Sequence, residues 1–412
     1  MKSIFLNIII LTISFSNAFS QSQVEIDALA LGIIPEFSSI EISPDGDRIA
    51  ILQNYQGRKI LVIRSLVDTN IAPVGIPFAD GEFSWVKWTS NDRIITGVRY
   101  AVKMAKKTVR FNTSNRKTEF YTTRLATMKW DGSDFQLLYR RNKSRGFQSQ
   151  FQDNVIDMMM DDPEHVLLSL DTNVITEPSV YKLNVINNTR SFVQSNMTDV
   201  KSWRSDKDHI IRYGFASEDD SSAKKSTRFA YYRKSKDNPW VKLFDYNSLI
   251  EEAPFEFIDF TNDPSIIYIS EIADNGFKTI NKYNVDNREV IETVISSDKY
   301  DIKNIETDNN GNISAYTYGT ESYNEKHLDE NDLKVDKIFT KNFPNSKYYI
   351  QSRSLDHKKM IVKTTSPVDP GTYYYVNLDQ NKVEMIDYNY KNADIERLSP
   401  SETITYQNYT IK

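Results

Sequence analysis

Apolar and polar positions alternate along most of the chain in short runs that are separated by tight polar turns. The stretch 40–52 is typical: an alternating run (IEI), a turn (SPDGDR) and a more apolar run (IAIL). The first run has the period of two expected of a strand. Asp and Gly suit the turn because they tolerate positive φ, and Asp also hydrogen-bonds its own backbone. The pattern therefore predicts β-hairpins.

This hairpin unit recurs seven times, and the spacing between second strands is mostly about 45 to 56 residues, with one interval of about 70. The seven copies are IEISPDGDRIAIL from Ile40, WVKWTSNDRIITGV from Trp85, VIDMMMDDPEHVLLSL from Val155, VKSWRSDKDHIIRYGF from Val200, FIDFTNDPSIIYISEI from Phe257, IKNIETDNNGNISAYTY from Ile302 and YIQSRSLDHKKMIVKT from Tyr349.

A second strand pair follows most of these hairpins, for example RKILVIRSL and SVYKLNVINNTRSFV. Two hairpins per unit make a four-stranded blade, and repeats of this length with four strands are typical of β-propellers. We predict an all-β fold, a single propeller of about seven four-stranded blades over residues 21–390. A set of β-sandwich domains is the competing interpretation, but it gives no reason for the same turn chemistry to return seven times.

Two stretches interrupt the repeat. Residues 101–117 lengthen the second unit and are rich in Lys and Arg. Residues 322–343 contain ENDLKVDKIFTKNF, whose apolar side chains recur at helical spacing: Leu333, Val335, Ile338, Phe339 and Phe343. We predict a short amphipathic helix there, inserted between the last two blades.

The N-terminal residues 1–20 have the composition of a secretory signal peptide. Lys2 precedes an apolar run from Ile4 to Phe15, and small residues stand at Ala18 and Ser20. The run is too short for an ordinary transmembrane helix. The sequence therefore predicts cleavage near Gln21 and export of a soluble protein, most simply to a bacterial periplasm, with no stable membrane insertion. An uncleaved membrane anchor is the alternative.

Composition narrows the chemistry further. The formal net charge of −5 favours neither nucleic acid nor an anionic membrane as a partner, and the absence of cysteine from the sequence excludes disulfides and thiolate sites. The sequence contains no G-x-S-x-G motif for a hydrolase nucleophile. None of the four histidines has the sequence context of a catalytic base or a zinc ligand. We assign no catalytic, metal or cofactor residue.

Two groups are candidate contacts to a substrate or partner. Glu251 and Glu252 form an adjacent carboxylate pair that could receive the amino terminus of a peptide, and Lys103, Lys106 and Lys107 could bind an anionic partner. In both cases the alternative is a solvated loop or hairpin tip.

The repeats resemble a known family. The motif ISPDGDRIAIL is similar to the repeats of Tol-type propellers and of the prolyl oligopeptidase family of serine peptidases (S9). The order of later segments is more specific and resembles exported dipeptidyl- or acylaminoacyl-peptidase-like members of S9. These segments are FSWVKWTSNDRIITG, LATMKWDGSDFQLLY, VIDMMMDDPEHVLLSLD, SVYKLNVINNTRSFV, SWRSDKDHIIRYGF and YYIQSRSLDHKKMIVKTTSPVDPGTYYYVNLDQNKVEMI.

The resemblance implies a function for the chain within a larger enzyme. In that family the propeller gates and orients peptides or oligopeptides for an α/β-hydrolase domain that carries the catalytic Ser, Asp and His. Residues 391–412 resemble a linker and the first strand of such a domain, and no catalytic residue of the family has a counterpart here. The alternative is a stand-alone periplasmic propeller acting as a binding or scaffold module. The oligomeric state is left open.

Overall fold

Seven antiparallel sheets follow one another along the chain and form a propeller ring. The computed structural model describes residues 28–404, except for 30, 69, 103–119, 139–148, 175, 221, 320–323 and 403. The predicted signal peptide, residues 1–20, lies outside the described residues, as do residues 405–412 of the predicted C-terminal strand. In the described residues, no helix is long and apolar enough to span a membrane.

Blades 1 to 4 each have four strands. Blade 1 comprises β1 (Phe37–Ile42), β2 (Arg48–Tyr55), β3 (Arg58–Ser65) and β4 (Val74–Ile76). Blade 2 comprises β5 (Glu82–Trp88), β6 (Arg93–Val102), β7 (Phe120–Lys129) and β8 (Gln136–Leu137). Blade 3 comprises β9 (Val155–Asp157), β10 (His165–Val174), β11 (Glu177–Asn184) and β12 (Arg190–Gln194). Blade 4 comprises β13 (Val200–Ser205), β14 (Ile211–Asp220), β15 (Lys225–Tyr232) and β16 (Val241–Asn247).

The remaining blades include one exception to the four-stranded pattern. Blade 5 comprises β17 (Glu256–Phe260), β18 (Ile266–Ile272), β19 (Lys278–Asn284) and β20 (Glu289–Ile295). Blade 6 has three strands among the described residues, β21 (Ile302–Thr307), β22 (Ile313–Tyr318) and β23 (Asn324–His327), followed by helix α1 (Glu330–Asn342). Blade 7 comprises β24 (Lys347–Arg353), β25 (Lys359–Ser366), β26 (Asp369–Asn377) and β27 (Lys382–Tyr388), and a 3₁₀ turn follows at Ile395–Arg397.

The prediction of a seven-bladed propeller is confirmed, as is the amphipathic helix. The helix is more than an insertion, however, because it supplies the apolar surface that faces blade 7. Val335 and Phe339 are fully buried against Met360 and Val362 of that blade. The side chain of Asp329 caps the helix by accepting hydrogen bonds from the backbone N–H groups of Asn331 and Asp332. The sequence predicted four strands in the sixth blade. In chain order the helix comes directly after β23, at the position where a fourth strand was expected.

Among the described residues the hydrophobic core forms seven clusters. Six lie between two consecutive blades, and the other joins helix α1 to blade 7. Both faces of every blade are therefore covered, which explains why the second strands read as nearly continuous apolar runs rather than strict alternations. One of the six joins Ile40 and Ile49 of blade 1 to Ile361 and Tyr375 of blade 7. Among the described residues each blade is built from one contiguous segment, and packing and hydrogen bonds join blade 7 to blade 1.

Trp203 in β13 shows how a small residue positions a large one. Its side chain is 1% exposed, and its indole Nε1 donates a hydrogen bond of 2.7 Å to the carbonyl of Pro178 in blade 3. The ring lies against Gly214 of the neighbouring strand β14, where an added Cβ would be 2.8 Å from the ring carbon Cζ3. Gly214 is thus required by the space that the tryptophan occupies between blades 3 and 4.

We expect Gly214→Ala to lower the free energy of unfolding by about 1–3 kcal/mol, because the methyl group overpacks this interface. Chemical denaturation measures the change. Gly75→Ala is the matched control, since its Cβ would meet only Ile60 at 4.0 Å, and we expect a change within about 0.5 kcal/mol. Equal effects of the two substitutions would contradict this account of Trp203.

Candidate functional site

The antiparallel strand order gives the ring two distinct faces. First strands begin, and fourth strands end, at one face. We call it the terminal face because the residues flanking the ring meet there: the backbone N–H of Glu36 donates to the carbonyl of Asn389 at 2.8 Å. The turns between first and second strands lie at the opposite face, which we call the turn face.

Two of the predicted contact residues, Glu251 and Glu252, belong to the terminal face. Glu251 and Glu252 lie exposed in the loop between β16 and β17. Glu251 is engaged locally, because its carboxylate accepts a hydrogen bond of 2.6 Å from the backbone N–H of Asn247. Leu249 and Ile250 of the same loop are 59% and 80% exposed. Lys103, Lys106 and Lys107 lie outside the described residues, and the strand ends that flank them, Val102 and Phe120, are at the terminal face.

A cleft of about 670 Å³ opens between blades 3 and 4 at the same face. Four carboxylates line it, and Lys201 is the cation among the lining residues; the carboxylates are Asp171, Asp199, Glu218 and Asp219. Asp219 is paired with Arg228 at 2.9 Å. Deeper in the cleft, the hydroxyl of Ser169 is buried and has no hydrogen-bond partner among the described residues. We name this site the acidic cleft.

The charge of the acidic cleft favours cationic groups. An ammonium or guanidinium group entering it would meet four carboxylates, whose charge Lys201 and Arg228 offset only in part. The sequence analysis did not identify the cleft, because its residues come from strand ends and loops of two blades. The acidic run at 218–220 was the visible signal, but its neighbours across the cleft depend on how the blades pack.

His209 lies in a cluster at the turn face that contains the residue types of a catalytic triad. Its Nδ1 is 2.8 Å from Asp157 and its Nε2 is 2.6 Å from Asp161. The hydroxyl of Ser205 donates to the same oxygen of Asp157 at 2.8 Å. Burial alone would lower the pKa of His209, but the hydrogen bonds to the two carboxylates outweigh it and raise the pKa.

The connectivity of this cluster is wrong for nucleophilic catalysis. In a triad the histidine accepts the serine proton while a single carboxylate orients the other ring nitrogen. Here the serine binds the carboxylate, and a second carboxylate occupies the remaining nitrogen of His209. The cluster instead joins blade 3 to blade 4, since Asp157 and Asp161 belong to one blade and Ser205 and His209 to the next.

A second group combines His357 with Asp329 and Asp332 near helix α1. One ligand atom from each of the three lies within 4.8 Å of the others. However, the guanidinium of Arg353 already contacts Asp332 at 2.8 to 3.1 Å, and the side chain of Asp329 caps the helix. A divalent cation would face the arginine charge at short range. We therefore interpret this group as structural.

Solved structures of known proteins share the fold of this chain. No family profile matches the sequence, and no curated protein does. The solved structures similar to it include prolyl oligopeptidase B from Galerina marginata. Two variants of that enzyme, each bound to a "35mer hydrolysis and macrocyclization substrate", align with TM-scores of 0.50 at 10% and 11% identity. The apo enzyme aligns with a TM-score of 0.49 at 11% identity.

The alignments cover 88% to 89% of this chain but 52% to 53% of the enzyme. The chain thus spans about half the length of the solved protein that it resembles. The likeness concerns the fold, and it agrees with the resemblance seen in the sequence. The described chain has the fold of the propeller portion of prolyl oligopeptidase.

Proposed function

We propose that this chain is the propeller portion of a serine peptidase of the prolyl oligopeptidase family, and that it admits and orients peptides without contributing catalytic residues. The observation that carries this proposal is the fold, which aligns along 89% of the chain with half of a peptidase. In this proposal residues 21–390 form the propeller, and residues 391–412 lead into an α/β-hydrolase domain.

The terminal face supports the proposed arrangement. Both ends of the ring leave from it, so a second domain joined to either end would lie over this face. The acidic cleft and the exposed loop at 248–252 open there, where they could contact a peptide held between two domains. Ligand sites are commonly found at such domain boundaries.

We expect the purified 412-residue chain to hydrolyse no peptide or ester above background and to resist labelling by a fluorophosphonate. The physical reason is the geometry of the turn-face cluster, in which Ser205 donates to Asp157 and not to His209, so the histidine cannot take the serine proton. A known serine hydrolase labelled in parallel is the control. Stoichiometric labelling that a single Ser→Ala substitution abolishes would refute the non-catalytic role.

A fusion experiment separates the peptidase proposal from the alternative of a stand-alone binding or scaffold propeller. An S9 hydrolase domain is joined after Lys412, and cleavage of short peptides is compared with cleavage of an unfolded protein. A gating propeller should permit the first and restrict the second. A correctly folded fusion that cleaves both equally would favour the stand-alone alternative.

A further inference from the structure

A separate pocket of about 310 Å³ lies at the turn face, between blades 4 and 5. The loop that joins β15 to β16 forms one side, and the turn that joins β19 to β20 forms the other. Leu243 and Val285 supply apolar walls. Around them lie polar and basic side chains: Arg233, Lys234, Asn238 and Arg288.

The pocket has more positive charge than its own carboxylate neutralises. Asp286 also lines it, but Lys234 binds this carboxylate at 2.6 Å and holds the pKa of Asp286 below its usual value. Arg233 and Arg288 have no carboxylate within the 4.0 Å ion-pair range among the described residues.

Each guanidinium group donates to a backbone carbonyl and keeps other donors free. Arg233 donates from Nε to the carbonyl of Ile211 at 2.7 Å, and its guanidinium lies 4.6 Å from the ring centre of Trp240. Arg288 donates from Nη2 to the carbonyl of Lys242 at 3.1 Å. Within the described part of the chain, Nη2 of Arg233 and Nη1 of Arg288 have no acceptor.

Arg233 is also partly removed from water, and this burial lowers the pKa of its side chain. Arg212 in β14 shows the contrasting case of a structural residue. It is fully paired with Asp206 and with the carbonyl of Pro264. The carboxylate of Asp237 acts on Arg233 only beyond ion-pair contact. A partly desolvated arginine with no carboxylate in direct contact is suited to bind an oxyanion, because its planar donors match two oxygens of a carboxylate or phosphate.

We propose that this pocket binds a small oxyanion carried on an apolar group, a carboxylate or a phosphate monoester. Arg233 and Arg288 would bind the oxygens, and Leu243 and Val285 would contact the apolar body. The volume is at the small end of ligand pockets, which suits a compact ligand. The proposal is independent of the peptidase role, since the pocket lies on the face opposite the acidic cleft.

Isothermal titration calorimetry on the full chain tests the proposal with three probes at fixed ionic strength. N-acetyl-leucine supplies a carboxylate, phenyl phosphate supplies a phosphate monoester, and N-acetyl-leucinamide is the neutral match of the first. We expect saturable binding of at least one anionic probe and none of the amide. Comparison of the two anions identifies the preferred oxyanion.

Variants locate the binding. Arg288→Gln and Arg233→Gln should each weaken binding about tenfold or more, because each removes charge-assisted hydrogen bonds. Lys236→Gln removes an exposed charge from the same loop, outside the pocket, and should leave affinity unchanged. If Arg233→Gln fails to fold, the anion affinity of Arg288→Gln decides whether the pocket is the binding site. Absence of anion binding, equal binding of the amide, or wild-type affinity in Arg288→Gln would overturn the proposal.

Discussion

Replacing Arg212 with Met should lower the free energy of unfolding by about 3–5 kcal/mol, because it leaves the buried carboxylate of Asp206 without its counter-ion. Both side chains of this pair are at most 7% exposed, and Nη1 of Arg212 is 3.1 Å from Asp206. Arg212 also binds the hydroxyl of Tyr232 and the carbonyl of Pro264, and so links blade 4 to blade 5. Urea denaturation followed by circular dichroism measures the loss.

A surface pair is the matched control for this substitution. Lys278 contacts Glu256 at 3.3 Å, and both side chains are largely exposed. Lys278→Met also replaces a long cation with methionine, but exposed ion pairs stabilise proteins by at most about 1 kcal/mol. If Arg212→Met lowers the free energy of unfolding by no more than Lys278→Met does, the buried pair does not hold blades 4 and 5 together.

The sequence predicted the propeller because its turn chemistry is local. Tight hairpin turns favour residues that tolerate positive φ, and the structure places one residue in the left-handed region in five of the seven turns: Gly46, Met159, His209, Gly311 and His357. The seven repeats could therefore be counted before any contact was known. Blade 6 departed from the predicted four strands because its apolar surface toward blade 7 comes from helix α1. Helical periodicity alone does not show that a helix takes the place of a strand.

The candidate site was less predictable, because its contacts join residues far apart in the chain. The sequence predicts Glu251 and Glu252 as a carboxylate pair because they are adjacent. The acidic cleft instead combines Asp171 with Glu218, and the turn-face pocket combines Arg233 with Arg288. Such pairs are separated by about a whole repeat, and the sequence does not show which strand ends and loops meet between neighbouring blades.

The stability of the protein should also depend on pH through His327, the last residue of β23. This side chain is 1% exposed, its Nδ1 is 2.7 Å from Asp336 of helix α1, and its Nε2 is 3.2 Å from Glu325. Burial by itself would lower the pKa of His327, but the hydrogen bond to Asp336 and the contact with Glu325 raise it from 6.5 to about 10. The imidazolium therefore ties the helix to blade 6 at neutral pH.

A pKa that is higher in the folded than in the unfolded state stabilises the fold only while the proton stays bound. The contribution of His327 is fully present below pH 6.5 and is lost as the pH rises toward about 10. His327→Gln, which cannot carry the charge, should therefore cost about 2–4 kcal/mol at pH 6.5 and much less at pH 10. Comparison of the two proteins at each pH removes the effect of other groups that titrate in this range.

The matched control is His357→Asn in the hairpin turn of blade 7. His357 is less buried than His327 and has a φ of 54°, which asparagine tolerates, so the substitution should lower the free energy of unfolding by less than His327→Gln does at pH 6.5. Hydrogen exchange of helix α1 supplies a local measurement, because release of Asp336 should loosen the helix before the blades. If His327→Gln lowers the free energy of unfolding by the same amount at pH 6.5 and pH 10, the imidazole of His327 acts by packing alone, and its charge does not hold the helix.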